Sequence, residues 1–289
     1  MNGILLVNKP TNITSQAVLT KIKHSLHPSK IGHAGTLDPM ATGLLVVLLG
    51  DATKLSDYVM AHDKTYEARI VLGKATTTED GTGETVSVKT CIHLEKVDSV
   101  LTALVGPLMQ TPPMYSSVHH QGKKLYEYAR KGIEIERLPR EVQIYELKRQ
   151  SEVFYQNDEA EFSFIATVSK GTYIRTLCVE IGNRLQYPAH MKELRRIRSG
   201  GWSIEEAYTL DEILEGKYTL HPLLEALHDL PHYEVTDEEA RAVLTGCPFP
   251  YPLPGLSQEV KLLALVKNQT LLGIYEKIDN MYKARRVWN

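Results

Sequence analysis

The sequence predicts a mixed α/β (α+β) body followed by a small β-rich unit at the C-terminus. Three observations carry this. Segments of apolar–polar alternation, at 66–72 and 161–168, are interleaved with segments such as Val18, Leu19, Ile22 and Leu26, whose apolar residues recur at helical spacing. The chain has 289 residues, 43% of them hydrophobic, enough for two domains or one large domain with an appendage. Near Pro231 the composition shifts, and fewer than sixty residues then hold a helix signal, a proline-rich connector and three strand patterns.

The elements follow in order. Residues 4–7 read as a strand, stopped by Lys9-Pro10. Thr14 or Ser15 caps the helix carrying Val18 to Leu26. A glycine-rich loop runs from Gly32 to Gly43. The apolar run 44–49 is a buried strand or helix segment, and its six residues fall far below a membrane span. Tyr66, Ala68, Ile70 and Leu72 share one strand face. Residues 76–83 form a polar loop. After the strand at 161–168, Gly171 ends a turn, and Ile174, Leu177, Ile181 and Leu185 mark a helix with Arg175 near its start. Beyond Pro231, Thr236 and Glu239 make a capping box and Gly246 ends that helix. Pro248, Pro250, Pro252 and Pro254 stiffen the connector to strands at 261–266, 271–278 and 282–288.

Charge is unevenly spread. Net charge is -2, yet residues 202–239 hold eleven acidic residues against one Lys, so the rest of the chain carries +8. Residues 119–149 hold eight Lys or Arg against five Glu, with Tyr126, Tyr128 and Tyr145 interleaved. Lys192, Arg195, Arg196 and Arg198 form a second basic cluster. The acidic stretch reads as solvated helix faces. The three cysteines, Cys91, Cys178 and Cys247, fit neither a disulfide framework nor a zinc pattern, which points to a reducing, cytoplasmic home. The N-terminal apolar run is too short for a secretory core.

The run Gly32-His33-Ala34-Gly35-Thr36-Leu37-Asp38-Pro39-Met40-Ala41-Thr42-Gly43 sets one carboxylate in a stiff loop. Pro39 keeps Asp38 out of helical geometry, and the glycines permit angles that other residues avoid. A carboxylate held so is either a structural turn former or a fixed reactive group. The nearby histidine pairs (His27 and His33, His119 and His120, His228 and His232) have no further ligand at metal spacing, so no metal site is expected. There is no phosphate-binding lysine loop, dinucleotide fingerprint or nucleophile elbow, which removes support for kinase, dehydrogenase and serine hydrolase chemistry. A carboxylate can attack a sugar carbon as in retaining glycosidases, but those need a second, acidic carboxylate. Asp51, Asp57 and Asp63 lie on other segments without a matching rigid motif. Single-carboxylate chemistry fits a glycosidic bond whose leaving group needs no protonation, as with uracil on ribose.

The run around Asp38, preceded by Leu5-Leu6-Val7-Asn8-Lys9-Pro10, resembles the tRNA pseudouridine-55 synthase family of the TruB type. The match continues through Asp63-Lys64-Thr65-Tyr66-Glu67-Ala68, Met114-Tyr115-Ser116-Ser117, and the stretch from Gly122 to Arg130. It resumes at Ser169-Lys170-Gly171-Thr172-Tyr173-Ile174-Arg175-Thr176-Leu177 and Leu194-Arg195-Arg196, so it spans residues 3 to 200 in the family's order.

The resemblance implies a catalytic domain at 1–230 with a central, mostly antiparallel sheet flanked by helices and loops, and a PUA-like RNA-binding domain at 231–289. It implies a cytoplasmic monomer that turns uridine into pseudouridine in the T-arm stem-loop of tRNA by flipping the base out, with no cofactor, membrane or protein partner. Asp38 matches the family's nucleophile, Tyr66 the tyrosine that stacks on the uracil, and Arg175 the arginine that pairs with the aspartate. His33, Tyr173 and Leu194 match residues lining the uridine site, Lys9 a neighbouring contact and Asp80 an acidic support. The segment at about 119–149, with Lys123, Lys124 and Arg130, matches a mobile insertion that closes over the stem-loop, and Lys283, Arg285 and Arg286 suit acceptor-stem phosphates. The family usually carries Asp where Thr77 stands. Whether the aspartate attacks C1′, attacks the ring, or removes the 2′ proton stays open. Two rival readings are a tRNA-folding module without chemistry and the guide-dependent branch of the family. The latter usually has basic terminal extensions, and a start two residues before the first strand favours stand-alone action.

Overall fold

The computed structural model describes residues 1–257 and 259–288; Gln258 and Asn289, both in the unit expected over 231–289, lie outside them. The chain begins with strand β1 (Gly3–Lys9) and helix α1 (Ser15–Leu26), whose N-cap is Thr14: its hydroxyl accepts from Ala17 N at 3.0 Å. Strands β2 (Ile31–Ala34) and β3 (Thr42–Leu49) pair antiparallel, and the connection between them carries Asp38. Strand β2 was not expected: at four residues, with two of them Gly and His, it has neither length nor β-propensity to mark it. Strand β4 (Lys64–Leu72) follows.

The large sheet runs in the order Tyr208–Thr209, β1, β3, Ala189–Ser199, β4, Glu159–Val168, Arg140–Arg149, Gly106–Gln110, with β2 also on β3. Its pairs are antiparallel apart from Tyr208–Thr209 on β1 and Ala189–Ser199 on β3, which matches the mostly antiparallel sheet the resemblance implies. The basic cluster of Lys192 to Arg198 therefore lies on a central strand, with Arg196 buried and Lys192, Arg195 and Arg198 exposed. Likewise the basic stretch at 119–149 divides. Residues from 119 to 130 form a small hairpin and the helix Leu125–Ala129, whereas Arg140–Arg149 is a sheet strand.

Alternate residues of β1 feed two cores, as a strand's geometry requires. Leu5 and Val7 join α1 and the helix Ile174–Leu185 on one face. Ile4 and Leu6 join Leu44, Val46 and Leu48 on the other, together with Ala264, Val266, Ile274 and Trp288. Strand β3 is buried on both faces, which is why its sequence shows an unbroken apolar run and no period.

The C-terminal residues make a five-stranded sheet in the order His232–Glu234, Leu262–Lys267, Thr270–Ile278, Met281–Val287, Phe249–Pro250. The helix Asp237–Leu244 packs on it, capped by Thr236 and the returning Glu239 side chain. This unit has its own core of Val235, Val243, Leu263, Tyr275 and Tyr282. It is also fastened to the body: Trp288 Nε1 donates to Asp51 O at 3.1 Å and Lys54 Nζ to Val287 O at 3.1 Å. No described helix is long and apolar enough to cross a membrane.

Candidate active site

Four strands meet on one line. Lys9 pairs with Gly43, Gly43 with Arg196, and Arg196 with Tyr66. Directly paired residues project to the same face of a sheet, so the register alone brings Lys9, Arg196 and Tyr66 together beside the loop holding Asp38.

That loop is bound on all sides. Ser15 Oγ donates to Leu37 O at 3.1 Å and accepts from Leu37 N at 3.0 Å. Lys9 Nζ reaches Ala41 O at 2.6 Å, Pro10 O at 2.9 Å and Pro39 O at 3.3 Å. Arg196 Nη2 donates to Gly35 O at 2.9 Å and Nε to Leu44 O at 2.7 Å. With the backbone so engaged, the Asp38 side chain turns into a cavity of about 1490 Å³. At Gly43, φ is +98° and a Cβ would stand 2.2 Å from Arg196 O, so only glycine allows the strands to approach this closely.

Arg175, second residue of the helix Ile174–Leu185, meets Asp38 through a fork: Nε lies 3.0 Å from Oδ2 and Nη2 3.4 Å from Oδ1. The guanidinium also donates to Tyr115 O at 2.8 Å and Thr78 O at 3.1 Å, and Asp80 Oδ2 stands 3.7 Å away. Asp80 in turn accepts from Thr78 Oγ1 at 2.7 Å and from Thr82 N at 2.9 Å, so it ties the 76–84 turn rather than facing a ligand freely. The Thr77 hydroxyl accepts from Glu84 N at 3.1 Å and so helps to close this turn.

Asp38, Tyr66, Arg175, His33, Tyr173, Leu194, Asp80, Lys124 and Arg130 all border the one cavity. Two expected contacts do not. Lys9 is fully buried, with its ammonium spent on loop carbonyls, and Lys123 is exposed outside the cavity lining. Lys9 is thus a support for the loop, a role hidden in the sequence because burial of a lysine has no local signature. Asp51, Asp57 and Asp63 do not line the cavity either; besides Asp38 and the engaged Asp80, its carboxylates are the exposed Glu84 and Glu141. Gln110 was not foreseen: its amide accepts from Tyr173 N at 2.7 Å and donates to Tyr173 O at 3.0 Å, which fixes Tyr173 and the helix start behind it.

Electrostatics set the ionisation. Burial pushes the Asp38 carboxyl above its ordinary value and nearby Asp80 adds to this, while Arg175 and Lys9 pull it down. The net direction is upward, opposite to what the ion pair alone would give. Burial and the Arg196 charge lower Lys9 to about 8, against the opposing pull of Asp38. Burial, Arg196 and Lys124 lower His33 and favour its neutral ring. Away from the cavity, His62, His228 and Asp229 bring potential ligand atoms within 4.8 Å of one another. His62 Nε2 lies 3.4 Å from Asp229 Oδ2 and its ring packs on that of His228; burial lowers the His62 pKa and favours the neutral ring.

Residues 23–174 match the TruB family pseudouridylate synthase N-terminal domain, and residues 175–240 the tRNA pseudouridylate synthase B C-terminal domain. The chain is 43% identical to a Bacillus velezensis protein named tRNA pseudouridine synthase B, over 95% of this chain and 93% of that protein. It is 42% identical to a Streptococcus pneumoniae protein of the same name over 100% of both. Among solved structures it resembles a Cbf5-Nop10-Gar1 complex, with TM-score 0.73 and 25% identity, covering 99% of this chain and 84% of that one. It also resembles an H/ACA RNP bound to a substrate RNA containing 2′-deoxyuridine, with TM-score 0.72 and 23% identity, over 99% and 85% of the two chains.

Proposed function

The chain belongs to the TruB family of pseudouridylate synthases, and from that premise we propose that it isomerises uridine to pseudouridine at position 55, in the T-loop of tRNA. In this reaction the bond from C1′ to N1 breaks, a bond from C1′ to C5 forms, the C5 proton leaves, and N1 takes up a proton. The observation that carries the reading is the Asp38–Arg175 fork opening into the cavity that Tyr66 also borders.

Asp38 is the group that acts on the nucleoside. Arg175 aims its carboxylate and favours its charged form, which the nucleophile requires. A base inside folded RNA is out of reach, so the uridine must swing out of its stack. Tyr66 receives the ring, and its seat in β4 between Glu159–Val168 and Ala189–Ser199 keeps it fixed. His33, Tyr173 and Leu194 line the remaining walls. Lys124 and Arg130, which reach the cavity from the segment beyond Gln110, hold the stem-loop mainly by its phosphates. The unit from 231 onward is a PUA-like RNA-binding domain, and Lys283, Arg285 and Arg286 contact the acceptor stem. The reading extends to a cytoplasmic monomer; all three cysteines are free thiols, as a reducing compartment keeps them.

The test is tritium release from T-arm RNA labelled at uridine C5. Wild-type protein releases tritium without any guide RNA. Asp38→Asn and Asp38→Ala bind the RNA and release none. Turnover by either variant would remove Asp38 from its role.

A further inference from the structure

We propose that Arg196 is a positioning residue for this reaction: its guanidinium clasps both ends of the Asp38 loop and so sets the carboxylate's distance from the Tyr66 ring. The inference rests on the reading that Asp38 and Tyr66 act on one uridine.

Arg196 is 1% exposed and is among the largest fully buried side chains. Among the described residues no carboxylate lies within ion-pair distance of it, so it is a buried charge without a counter-ion. Such a charge is costly to bury, and an apolar residue of similar volume would avoid that cost. What the guanidinium gains is two carbonyls, one taken by Nε and the other by Nη2. Gly35 O lies just past the end of β2 and Leu44 O near the start of β3, the entry and exit of the loop. Lys9 and Ser15 bind carbonyls inside the loop, at positions 37, 39 and 41. Arg196 alone among these donors joins its two ends.

The backbone of Arg196 makes the same connection. It pairs with Gly43 on one side and with Tyr66 on the other. The loop also rests directly on the side chain: a Cβ added to Gly35, where φ is +92°, would stand 3.2 Å from Arg196 Nη1. One residue therefore fixes the nucleophile's loop through its side chain and the tyrosine's strand through its main chain. A lysine at this position keeps the charge but offers a point donor in place of a rigid fork.

The experiment uses the full chain with Arg196→Lys and Arg196→Ala, each checked for fold by circular dichroism, and a T-arm stem-loop substrate. Displacing the carboxylate by about 1 Å should slow single-turnover isomerisation by about 100-fold. Stem-loop affinity should stay within about three-fold, because the lost interaction matters at the reacting atoms and not in ground-state binding. Millimolar methylguanidinium should restore part of the rate to Arg196→Ala, an effect no general loss of stability produces. A folded Arg196→Lys that turns over like wild type overturns the inference, as does a rate loss matched by equal loss of affinity. If both variants fail to fold, Gly35→Ala disturbs the same contact with the arginine in place: slowed turnover at unchanged affinity supports the clasp, and wild-type turnover overturns it. An inactive wild-type chain would count against the proposed function itself.

Discussion

Arg175 grips Asp38 side-on, Nε to Oδ2 at 3.0 Å and Nη2 to Oδ1 at 3.4 Å, while its remaining N–H groups are held by Thr78 O and Tyr115 O. The arginine is anchored from three segments, so the carboxylate is aimed by a group that cannot itself swing away.

Replacing Arg175 by Lys should therefore fail even though charge is kept. A point ammonium cannot match both carboxylate oxygens and both carbonyls. The expected loss is about 100-fold or more in single-turnover rate, with stem-loop affinity little changed. Rapid-quench kinetics and filter binding measure the two quantities separately. An Arg175→Lys variant with wild-type rate would show that the fork has no part in the chemistry.

The pH dependence follows from the buried carboxylate. Burial raises the Asp38 pKa above its ordinary 3.8 despite Arg175. The reactive form is the ionised one, so the rate should fall as pH drops through this raised value. The acid limb of the profile is expected above the range of a solvent-exposed aspartate. Arg175→Gln removes the main opposing charge and should move the limb further up. A limb that stays put in that variant would contradict the assignment.

Gly43 tests the close approach of β3 to the strand Ala189–Ser199. Gly43→Ala combines a left-handed backbone with a Cβ 2.2 Å from Arg196 O, and the strands must part. A cost of about 3 kcal/mol or more is expected from strain and lost pairing together. Gly132 supplies the contrast: its φ is +68°, but nothing lies within 4 Å of an added Cβ. Gly132→Ala should cost only about 1 kcal/mol, the left-handed penalty alone. Urea unfolding of the two variants reads the difference.

The C-terminal basic residues should act on long RNA and not on chemistry. Arg285→Glu with Arg286→Glu is expected to weaken binding of whole tRNA and to flatten its salt dependence, since each lost phosphate contact removes about 0.7 to 0.9 from the log–log slope. Isomerisation of an isolated T-arm stem-loop should be unaffected. Equal loss on both substrates would place these arginines elsewhere in the RNA contact.

Much of this architecture is legible in the sequence, for definite reasons. Alternation marks Glu159–Val168 because one face of it meets the core and the other is half-buried. Thr236 and Glu239 announce their helix through a local hydrogen-bonded motif. Asp38, Tyr66 and Arg175 stand out by resemblance, and the structure groups them around one cavity. What stayed hidden depends on contacts distant in sequence. Strand β2 exists because β3 pairs with it. In the sequence Lys9 is a neighbouring contact and Arg196 one member of a basic cluster; only the fold shows carbonyls 32 and 152 positions away accepting from them. Gln110 acquires its role only when Tyr173, 63 residues on, arrives beside it.

The alignment of Lys9, Gly43, Arg196 and Tyr66 across neighbouring strands also governs which changes in chain length this protein can absorb. Turns can gain or lose residues with little effect. A single deletion inside β1 or β4, however, rotates the outward half of that strand inward and sends its reactive or supporting group to the opposite side of the sheet. Natural variation in length should therefore be concentrated in the connections, such as the exposed stretch between Arg130 and Arg140, and be absent from these strands.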